Sequence, residues 1–418
     1  MFHANVRHSR LHGRRGLIAA AVAVACISTP VVQAVEVVPG GYSPEVDYGR
    51  GSLVVGSDGN VYRALGAVKA KDPVTAKDAT WQLAHAAFDM TIDVPGRFDA
   101  IDKALAFIAG ATISDTATVT VQLAPGTYEL KEPVAIGHSQ GHRVVLKGGK
   151  DPAKCTLRFG QSDGLVVEGG TGLTIEGLSI QGTGAEHTGV VVEDRSLAVL
   201  RRCVVNDFKM GVRVNRASSV NAEDVRVSSK KGTAGFQAYA GSVCLLKDCT
   251  AILQANPRGG DISTGFGAWF SSTMECEDCT ATGWHDGFFS YHAASLDMRN
   301  CTATGNRFGG GAYLGSTLRA NGCIFEESRE LGLNIHEGTA SMAGCRISSS
   351  TSMAIRCYGT SMIDLRGAPC EITGSPLGIQ SIAGGALNGV RPTFRRCARE
   401  TEIYPFKSTD EAVFQFQQ

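Results

Sequence analysis

Apolar and polar residues alternate at a period of two through most of the chain, in short runs separated by glycines and polar turns. This alternation predicts β-strands that each bury one face. The runs also recur, marked by a cysteine with a glycine about 14 residues before it. The recurring positions are Cys203, Val225, Cys249, Cys279, Cys301, Cys323 and Cys345, at steps of 22, 24, 30, 22, 22 and 22 residues. This spacing predicts a repeat architecture.

Three strands are predicted in each repeat, and their inward positions form columns. The columns are Val190, Val212, Phe236, Phe266 and Phe288 in the first strand; Ala198, Cys244, Met274, Leu296 and Leu318 in the second; and Val205, Ala251, Ala281, Ala303, Phe325 and Ile347 in the third. Coils are predicted to begin near Gly189, Gly211, Gly235, Gly265, Gly287 and Gly309. Such coils, of about 22 residues, describe a single-stranded parallel β-helix with strands about 4.8 Å apart. A leucine-rich horseshoe lacks its Leu and Asn ladder here, and a propeller blade needs about 40 residues.

The segment before the repeats is an amphipathic helix followed by strands. GRFDAIDKALAFIAG places Phe98, Ile101, Leu105 and Ile108 on one side, and TVTVQLAPGTYELKEPVAI and HRVVLKGG follow it. With the repeats, this order resembles the pectate-lyase-like superfamily of right-handed parallel β-helices over residues 90–400. The resemblance implies an all-β fold with an N-terminal helical cap, and residues 401–418 are expected to form a C-terminal cap or tail.

A smaller unit is predicted at residues 42–85. It resembles chitin-type carbohydrate-binding modules through Tyr48, Tyr62 and Trp81, together with Gly51, Val54, Gly59 and Pro73. The resemblance implies a few short strands whose aromatic side chains stack on sugar rings. A purely structural spacer would fit the same pattern.

Residues 1–34 are predicted to be an export signal, because four arginines precede an Ala-rich apolar stretch. Cleavage is expected after Ala34, by the general secretory or the twin-arginine route, and a lipoprotein at Cys26 is a minor alternative. No other stretch is predicted to span a membrane. The 40 basic and 40 acidic residues form no basic patch, which argues against nucleic acid as a partner. The expected location is the periplasm or the extracellular space.

The catalytic motifs of the resembled enzymes are missing. The Asp-Asp pair and G-H-G of polygalacturonases, the clustered Asp residues of calcium-dependent pectate lyases and the D-P-H-D of mannuronan epimerases do not occur. No cofactor or metal is therefore predicted. The cysteine column is interpreted as buried, reduced core. Cys276 and Cys279 are interpreted as two inward positions of one coil.

Two outward rows on the first strand carry unusual side chains. One is Glu193, Asn215, Tyr239, Trp269, Tyr291, Tyr313 and Ile335; the other is Asp194, Arg216, Ala240, Phe270, His292, Leu314 and His336. Aromatic faces pack against the C–H faces of sugars. The alternative is a stripe covered by a loop, the C-terminal segment or a second chain. On the second strand, the outward columns Glu275–Asp297–Arg319 and Lys247–Glu277–Arg299 are interpreted as a salt-bridged solvent face.

The candidate site lies beside the insertion at residues 252–265, where the aromatic row meets charged turns. Candidate catalytic residues are Tyr291, His292, Asp286, Arg307 and His336; candidate substrate contacts are Trp269, Phe289, Tyr313, His285, Tyr239 and Glu330. His292 and His336 are 44 residues apart and are expected on one line about 10 Å apart.

Two functions compete for this site. A non-catalytic protein that binds polysaccharide needs only the aromatic row and the small module. A polysaccharide lyase or epimerase would remove a proton next to a carboxylate of an acidic polysaccharide, with a Tyr or His base. A phage-tail-like fibre fits the module order but not the export signal.

Overall fold

Two parallel sheets wind into a solenoid in the computed structural model, which describes residues 37–184, 186–254, 262–404 and 414–417. The solenoid has about 13 turns and almost no helix. The predicted export signal and most of the predicted C-terminal cap lie outside the described residues.

Sheet 1 contains twelve parallel strands, one from each successive coil. Its strands are Val134–Ile136, Leu165–Val167, Thr188–Val192, Met210–Val214, Ala234–Ala238, Thr264–Trp269, Asp286–Tyr291, Phe308–Tyr313, Leu331–His336, Met353–Tyr358, Leu377–Ile382 and Arg399–Tyr404. This sheet presents the aromatic row to solvent.

Sheet 2 contains 24 strands and joins the second and third predicted strands of each coil. Its strands are Met90–Val94, Val119–Leu123, Gly126–Leu130, Val144–Lys147, Cys155–Phe159, Gly172–Glu176, Ser179–Gln181, Leu197–Asn206, Ser219–Ser229, Val243–Lys247, Thr250–Leu253, Thr273–Glu277, Thr280–Thr282, Ser295–Arg299, Thr302–Thr304, Thr317–Asn321, Ile324–Glu326, Thr339–Ala343, Arg346–Ser348, Met362–Leu365, Glu371–Thr373, Ala386–Val390, Thr393–Arg395 and Phe414–Gln417. Two of these strands, Leu197–Asn206 and Ser219–Ser229, run without a break through both predicted positions.

The N-terminal part is a small mixed sheet beside one helix. The sheet contains Val37–Gly41, Leu53–Val55, Val61–Ala64, Trp81–Ala86 and Thr112–Ile113, and a separate pair is Asp47–Tyr48 with Val68–Lys69. The helix α1 spans Ile101–Ile108, and short 3-10 turns lie at Gly141–Arg143 and Pro152–Lys154. Arg97 places its guanidinium 4.2 Å from the ring centre of Phe107 and 5.7 Å from that of Tyr62, and so links the helix to the small sheet.

The module aromatics are core residues. Tyr48, Tyr62 and Trp81 are only 4%, 0% and 1% exposed, and the Trp81 indole donates to the Lys71 carbonyl at 2.9 Å. Buried in this way, the three rings fit the structural alternative and offer no face on which a sugar could stack. Tyr48 packs on Trp81, and Tyr62 packs on Phe107 of the helix.

The strand register confirms the predicted inward columns. Val212 pairs with Phe236, Phe236 with Phe266 and Phe266 with Phe288, and the corresponding columns of sheet 2 are also in register. The Phe266 ring lies between the other two, at centroid distances of 5.1 and 4.9 Å and nearly parallel to both.

The expected position of His336 is wrong. His336 pairs with Tyr313, while Ile335 pairs with Ala312 and is buried. The turn before this strand is one residue longer than in the previous coil, so that Phe308 pairs with Leu331. The following turn is one residue shorter, which restores the 22-residue step from Thr317 to Thr339. His336 therefore belongs to the aromatic row and not to the His292 line.

The cysteine column lies at the sharp corner between the two halves of sheet 2. The residue before each cysteine adopts a left-handed conformation, as at Asp278 and Asn300, which suits Asp, Asn and Gly. The thiols of Cys279 and Cys301 donate to carbonyls of the preceding coil at 3.5 and 3.4 Å. All the predicted column cysteines are buried and unpaired, as expected, and burial raises the pKa of Cys203 to about 11.

Candidate functional site

The outward row of sheet 1 crosses five successive coils. Strand register places Trp269, Tyr291, Tyr313, His336 and Tyr358 side by side. Each of these side chains is half-buried. Adjacent strands lie about 4.8 Å apart, so the row presents one ring for each step along the solenoid.

The rings of this row contact one another closely. Trp269 lies 5.1 Å from Tyr291, and His336 lies 4.7 Å from Tyr358 between ring centroids. Phe289 packs beneath the row, at 4.9 Å from Trp269 and 5.0 Å from Tyr313, and is only 5% exposed. Phe289 is thus a support for the predicted contact residues and not a contact itself.

Two glycines leave space for two rings of the row close to the sheet. A Cβ built on Gly267 would lie 2.7 Å from the Trp269 Nε1, and one on Gly311 would lie 2.5 Å from a Tyr313 ring carbon. The indole and the phenol therefore occupy the space above these glycines.

A chain of polar groups borders the row at the turn before sheet 1. The Asp286 Oδ2 accepts from the His285 Nδ1 at 2.6 Å, and Arg307 lies 3.0 Å from the His285 Nε2. The Nε of Arg307 donates to Glu330 at 2.6 Å. Because Arg307 occupies Nε2 as a donor, His285 carries its proton on Nδ1. The structure brings together four of the predicted site residues here.

Buried side chains fix this turn. Asn306 is fully buried; its side-chain oxygen accepts from the Trp284 backbone at 2.9 Å and its amide donates to the Ala281 carbonyl at 3.0 Å. The Trp284 indole donates to the Ala251 carbonyl at 3.0 Å. The turn that carries His285 and Asp286 is therefore held from inside the solenoid.

Asp286 is the most buried carboxylate of the site, at 2% exposed. Burial raises its pKa above the ordinary value, although the hydrogen bond from His285 and the charge of Arg307 oppose that effect. Its second oxygen, Oδ1, is buried and has no hydrogen-bond partner. Such an unpaired buried acceptor costs stability.

Replacing Asp286 by Asn is expected to stabilise the fold increasingly as pH rises. A raised pKa means that the folded state favours the protonated acid. The stability that Asp286 contributes is therefore fully present below about pH 3.9, the pKa of an unfolded Asp, and is lost as pH rises through the folded pKa. The neutral amide avoids that loss. The difference in free energy of unfolding between variant and wild type should grow by about 1 kcal/mol between pH 4 and pH 8. A difference that stays constant over this range would contradict the assignment.

A second polar chain lies in the column next to the row, on the same side as the turn before sheet 1. The Tyr313 hydroxyl is hydrogen-bonded by the Asn334 amide, and the Nε of Arg356 donates to the Asn334 oxygen at 2.9 Å. Burial raises the pKa of Tyr313, so its hydroxyl stays protonated at neutral pH. Within the described part of the chain, Arg356 forms no ion pair with a carboxylate.

The remaining predicted residues lie at the margin. His292 and Phe270 adopt left-handed conformations in the turn after sheet 1, and their rings stack at 4.9 Å. Tyr239 packs on Phe270 at 4.9 Å. These side chains extend the aromatic surface past the end of the strands and do not form a second row on the sheet.

Sequence reasoning missed Thr264, Asn334, Arg356 and Tyr358. Tyr358 follows from continuing the row once His336 is in its true register. Thr264 pairs with Asp286, and its hydroxyl is buried without a partner. The unpaired Thr264 hydroxyl becomes evident only from the ring orientation of Trp269.

The charged columns of sheet 2 have the predicted register, but among the described residues only one ion pair forms within them. Glu275 pairs with Asp297 and Asp297 with Arg319, while Lys247 and Glu277 form an ion pair at 3.2 Å. Among the described residues no group of His, Cys, Asp or Glu could hold a metal ion. In the same residues, no helix is long and apolar enough to cross a membrane.

Residues 144–319 match the family model described as "Right handed beta helix region". This match agrees with the parallel register, and the fold is an all-β right-handed parallel β-solenoid. Among curated proteins, none matches the sequence.

Several solved structures are similar to this chain at low sequence identity. A double mutant of a periplasmic alginate epimerase is 12% identical, with 78% of this chain and 83% of that chain covered and a TM-score of 0.48. A variant catalytic domain of a GH87 alpha-1,3-glucanase with nigerose is 12% identical, with 78% and 68% covered and a TM-score of 0.45. The A-module of a mannuronan C-5 epimerase from Azotobacter vinelandii is 14% identical, with 70% and 91% covered and a TM-score of 0.40. At these identities the likeness concerns the fold alone.

Proposed function

We propose that the protein binds a polysaccharide along the outward face of sheet 1. The observation that carries this proposal is the row of half-buried rings from Trp269 to Tyr358, presented by five coils in strict register. Half-buried aromatic rings fixed on a rigid sheet offer exposed ring surface to the C–H faces of sugars with little loss of side-chain freedom on binding. A sugar chain lying parallel to the solenoid axis would meet one ring at each step.

The polar groups beside the row supply hydrogen bonds to sugar hydroxyls. Glu330 and Arg307 lie at the border before sheet 1, where each side chain is 37% exposed, and Arg356 lies in the column next to the row on the same side. Sugar sites combine apolar ring faces with a few fixed polar groups in this way. The predicted export signal would place such a protein in the periplasm or outside the cell, where polysaccharides are encountered.

The domain limits follow as part of the same proposal. We infer that residues 42–85 form a structural unit in front of the solenoid at residues 90–400. Helix α1 buries Ile101, Ala104, Phe107 and Ile108, and a solenoid needs its first coil covered. Helix α1 is therefore assigned as the N-terminal cap.

Replacing Tyr291 and His292 together by Ala is expected to weaken polysaccharide binding about tenfold, because two ring contacts are lost. A glycan array on the wild type would supply the ligand, and titration calorimetry would give the affinities. The matched control is the double variant of Glu275 and Asp297 to Ala, on the solvated face of sheet 2. If the first variant keeps full affinity and the second loses it, the binding site lies on sheet 2 and the proposal is wrong.

A second candidate function is proton transfer on an acidic polysaccharide, as in a lyase or epimerase. It is favoured by the hydrogen-bonded chain of Asp286, His285 and Arg307 beside the row. Arg356 would hold the substrate carboxylate, and His285 would accept a proton at Nε2 once Arg307 turns to the substrate. Tyr313 would act as an acid rather than a base, because its pKa is raised.

Product analysis decides between binding and turnover. Wild-type protein incubated with uronate polysaccharides in deuterated water would incorporate deuterium or release unsaturated ends if it is a lyase or epimerase. We expect His285→Gln to lower the rate of any such reaction at least about 100-fold, because general acid–base catalysis contributes a factor of this size. If the polymer is bound but chemically unchanged, the protein binds polysaccharide without turning it over.

A further inference from the structure

Three polar atoms without partners converge beneath the Trp269 indole. The Nε1 of Trp269, the Oγ1 of Thr264 and the Oδ1 of Asp286 are each buried and each lack a hydrogen bond. The point where a Gly267 Cβ would lie is 2.7 Å from the first and 3.0 Å from the second. Asp286 is the strand partner of Thr264. Two of the three atoms thus lie close to Gly267, and the third belongs to the residue beside Thr264 on the next strand.

We propose that Thr264, Trp269 and Asp286 form a hydroxyl-binding subsite that takes one alcohol group of a neutral sugar unit; this inference rests on the proposed function. An alcohol donates one hydrogen bond and accepts others. It therefore donates to the Asp286 oxygen and accepts from the indole N–H, while the threonine hydroxyl serves either role. A carboxylate or sulfate is repelled by the Asp286 charge and offers no proton to it.

The Trp269 indole covers this subsite in the unbound protein. Its ring lies over Gly267 with the N–H turned toward the sheet, where it meets no acceptor. The other two tryptophans differ, because the indoles of Trp81 and Trp284 are fully bonded to backbone carbonyls and buried. A small rotation of the Trp269 indole opens the floor formed by Thr264 and Asp286 and keeps its N–H directed at the bound alcohol.

Tryptophan fluorescence tests the cover without any ligand. Gly267→Ala places a methyl group where the indole lies, so the Trp269 emission is expected to shift to longer wavelength and become more accessible to acrylamide. The matched control is Gly311→Ala, which displaces Tyr313 and not an indole, and its tryptophan emission is expected to stay as in the wild type. The same emission in the Gly267 variant as in the wild type would overturn the covering role.

Titration with neutral hexasaccharides tests the subsite itself. The probes are cellohexaose, xylohexaose, laminarihexaose and chitohexaose, with uronate hexamers in parallel. We expect at least one neutral hexamer to bind, to change the Trp269 emission, and to lose about tenfold in affinity with Thr264→Val or Asp286→Asn, since each change removes one hydrogen-bonding partner of the alcohol. Trp269→Phe should abolish the optical change.

The outcomes separate this subsite from the proposed function. Binding of uronate hexamers alone, weakened by the Tyr291 and His292 variant, keeps the polysaccharide site and overturns the neutral-hydroxyl subsite. Binding of neutral hexamers that Thr264→Val and Asp286→Asn leave unchanged also overturns it. Absence of binding by any hexamer or array glycan overturns both.

Discussion

Replacing Phe266 by Ala is expected to lower the free energy of unfolding by about 3–5 kcal/mol. The ring is fully buried between Phe236 and Phe288. Each neighbouring ring is fixed by its own strand, so the space left by the missing ring cannot close. Chemical denaturation under reducing conditions measures the change.

The matched control is Phe270→Ala, the same chemical change in the next turn. Phe270 is 38% exposed and packs on His292 at the surface. Its loss is expected to cost less than about 1 kcal/mol. Equal losses for the two variants would mean that the buried phenylalanine stack stabilises the fold no more than a partly exposed ring does.

Replacing Gly287 by Ala is expected to cost about 1–3 kcal/mol, although it adds a single methyl group. The new Cβ would lie 2.6 Å from the Gly309 carbonyl oxygen and 2.8 Å from the Asn306 amide. The carbonyl belongs to the backbone of the next coil, and the amide holds the turn of Trp284. Neither group can move without loss of hydrogen bonds, so we also expect weaker glycan binding.

Gly160→Ala is the matched control for this change. A Cβ at Gly160 meets nothing within 4 Å, and the residue does not adopt a left-handed conformation. Its stability should stay within about 0.5 kcal/mol of the wild type. A similar loss at Gly160 would show that the effect at Gly287 does not come from close coil stacking.

The inward columns could be predicted from sequence because burial repeats with the strand period. Phe236, Phe266 and Phe288 recur in one register, and no other assignment buries all three. The His336 register failed for a local reason: one extra residue before the strand is offset by one fewer after it. Counting between cysteines cannot detect such a paired change, since the total step remains 22 residues.

The site itself was only partly predictable. The turn residues Asp286, His285, Arg307 and Glu330 were expected at one border, and the structure joins them by hydrogen bonds. The burial of Tyr48, Tyr62 and Trp81 was not foreseen, because a surface aromatic and a core aromatic have the same sequence pattern. The unpaired polar atoms of Thr264 and Trp269 lie together near Gly267 because of the ring orientation of Trp269. The periodicity of the sequence does not predict that orientation.

The thiols at the corner of the solenoid also determine whether the protein can refold after it has unfolded. Eleven of the twelve cysteines in the described residues are buried and none is paired, so an oxidant meets a nearly inert native surface. Unfolding exposes all of these thiols together on one chain, where any two that meet can be oxidised to a disulfide. Recovery after heating in air should therefore fall far below recovery with a reductant, so that resistance to damage depends on how rarely the coils separate.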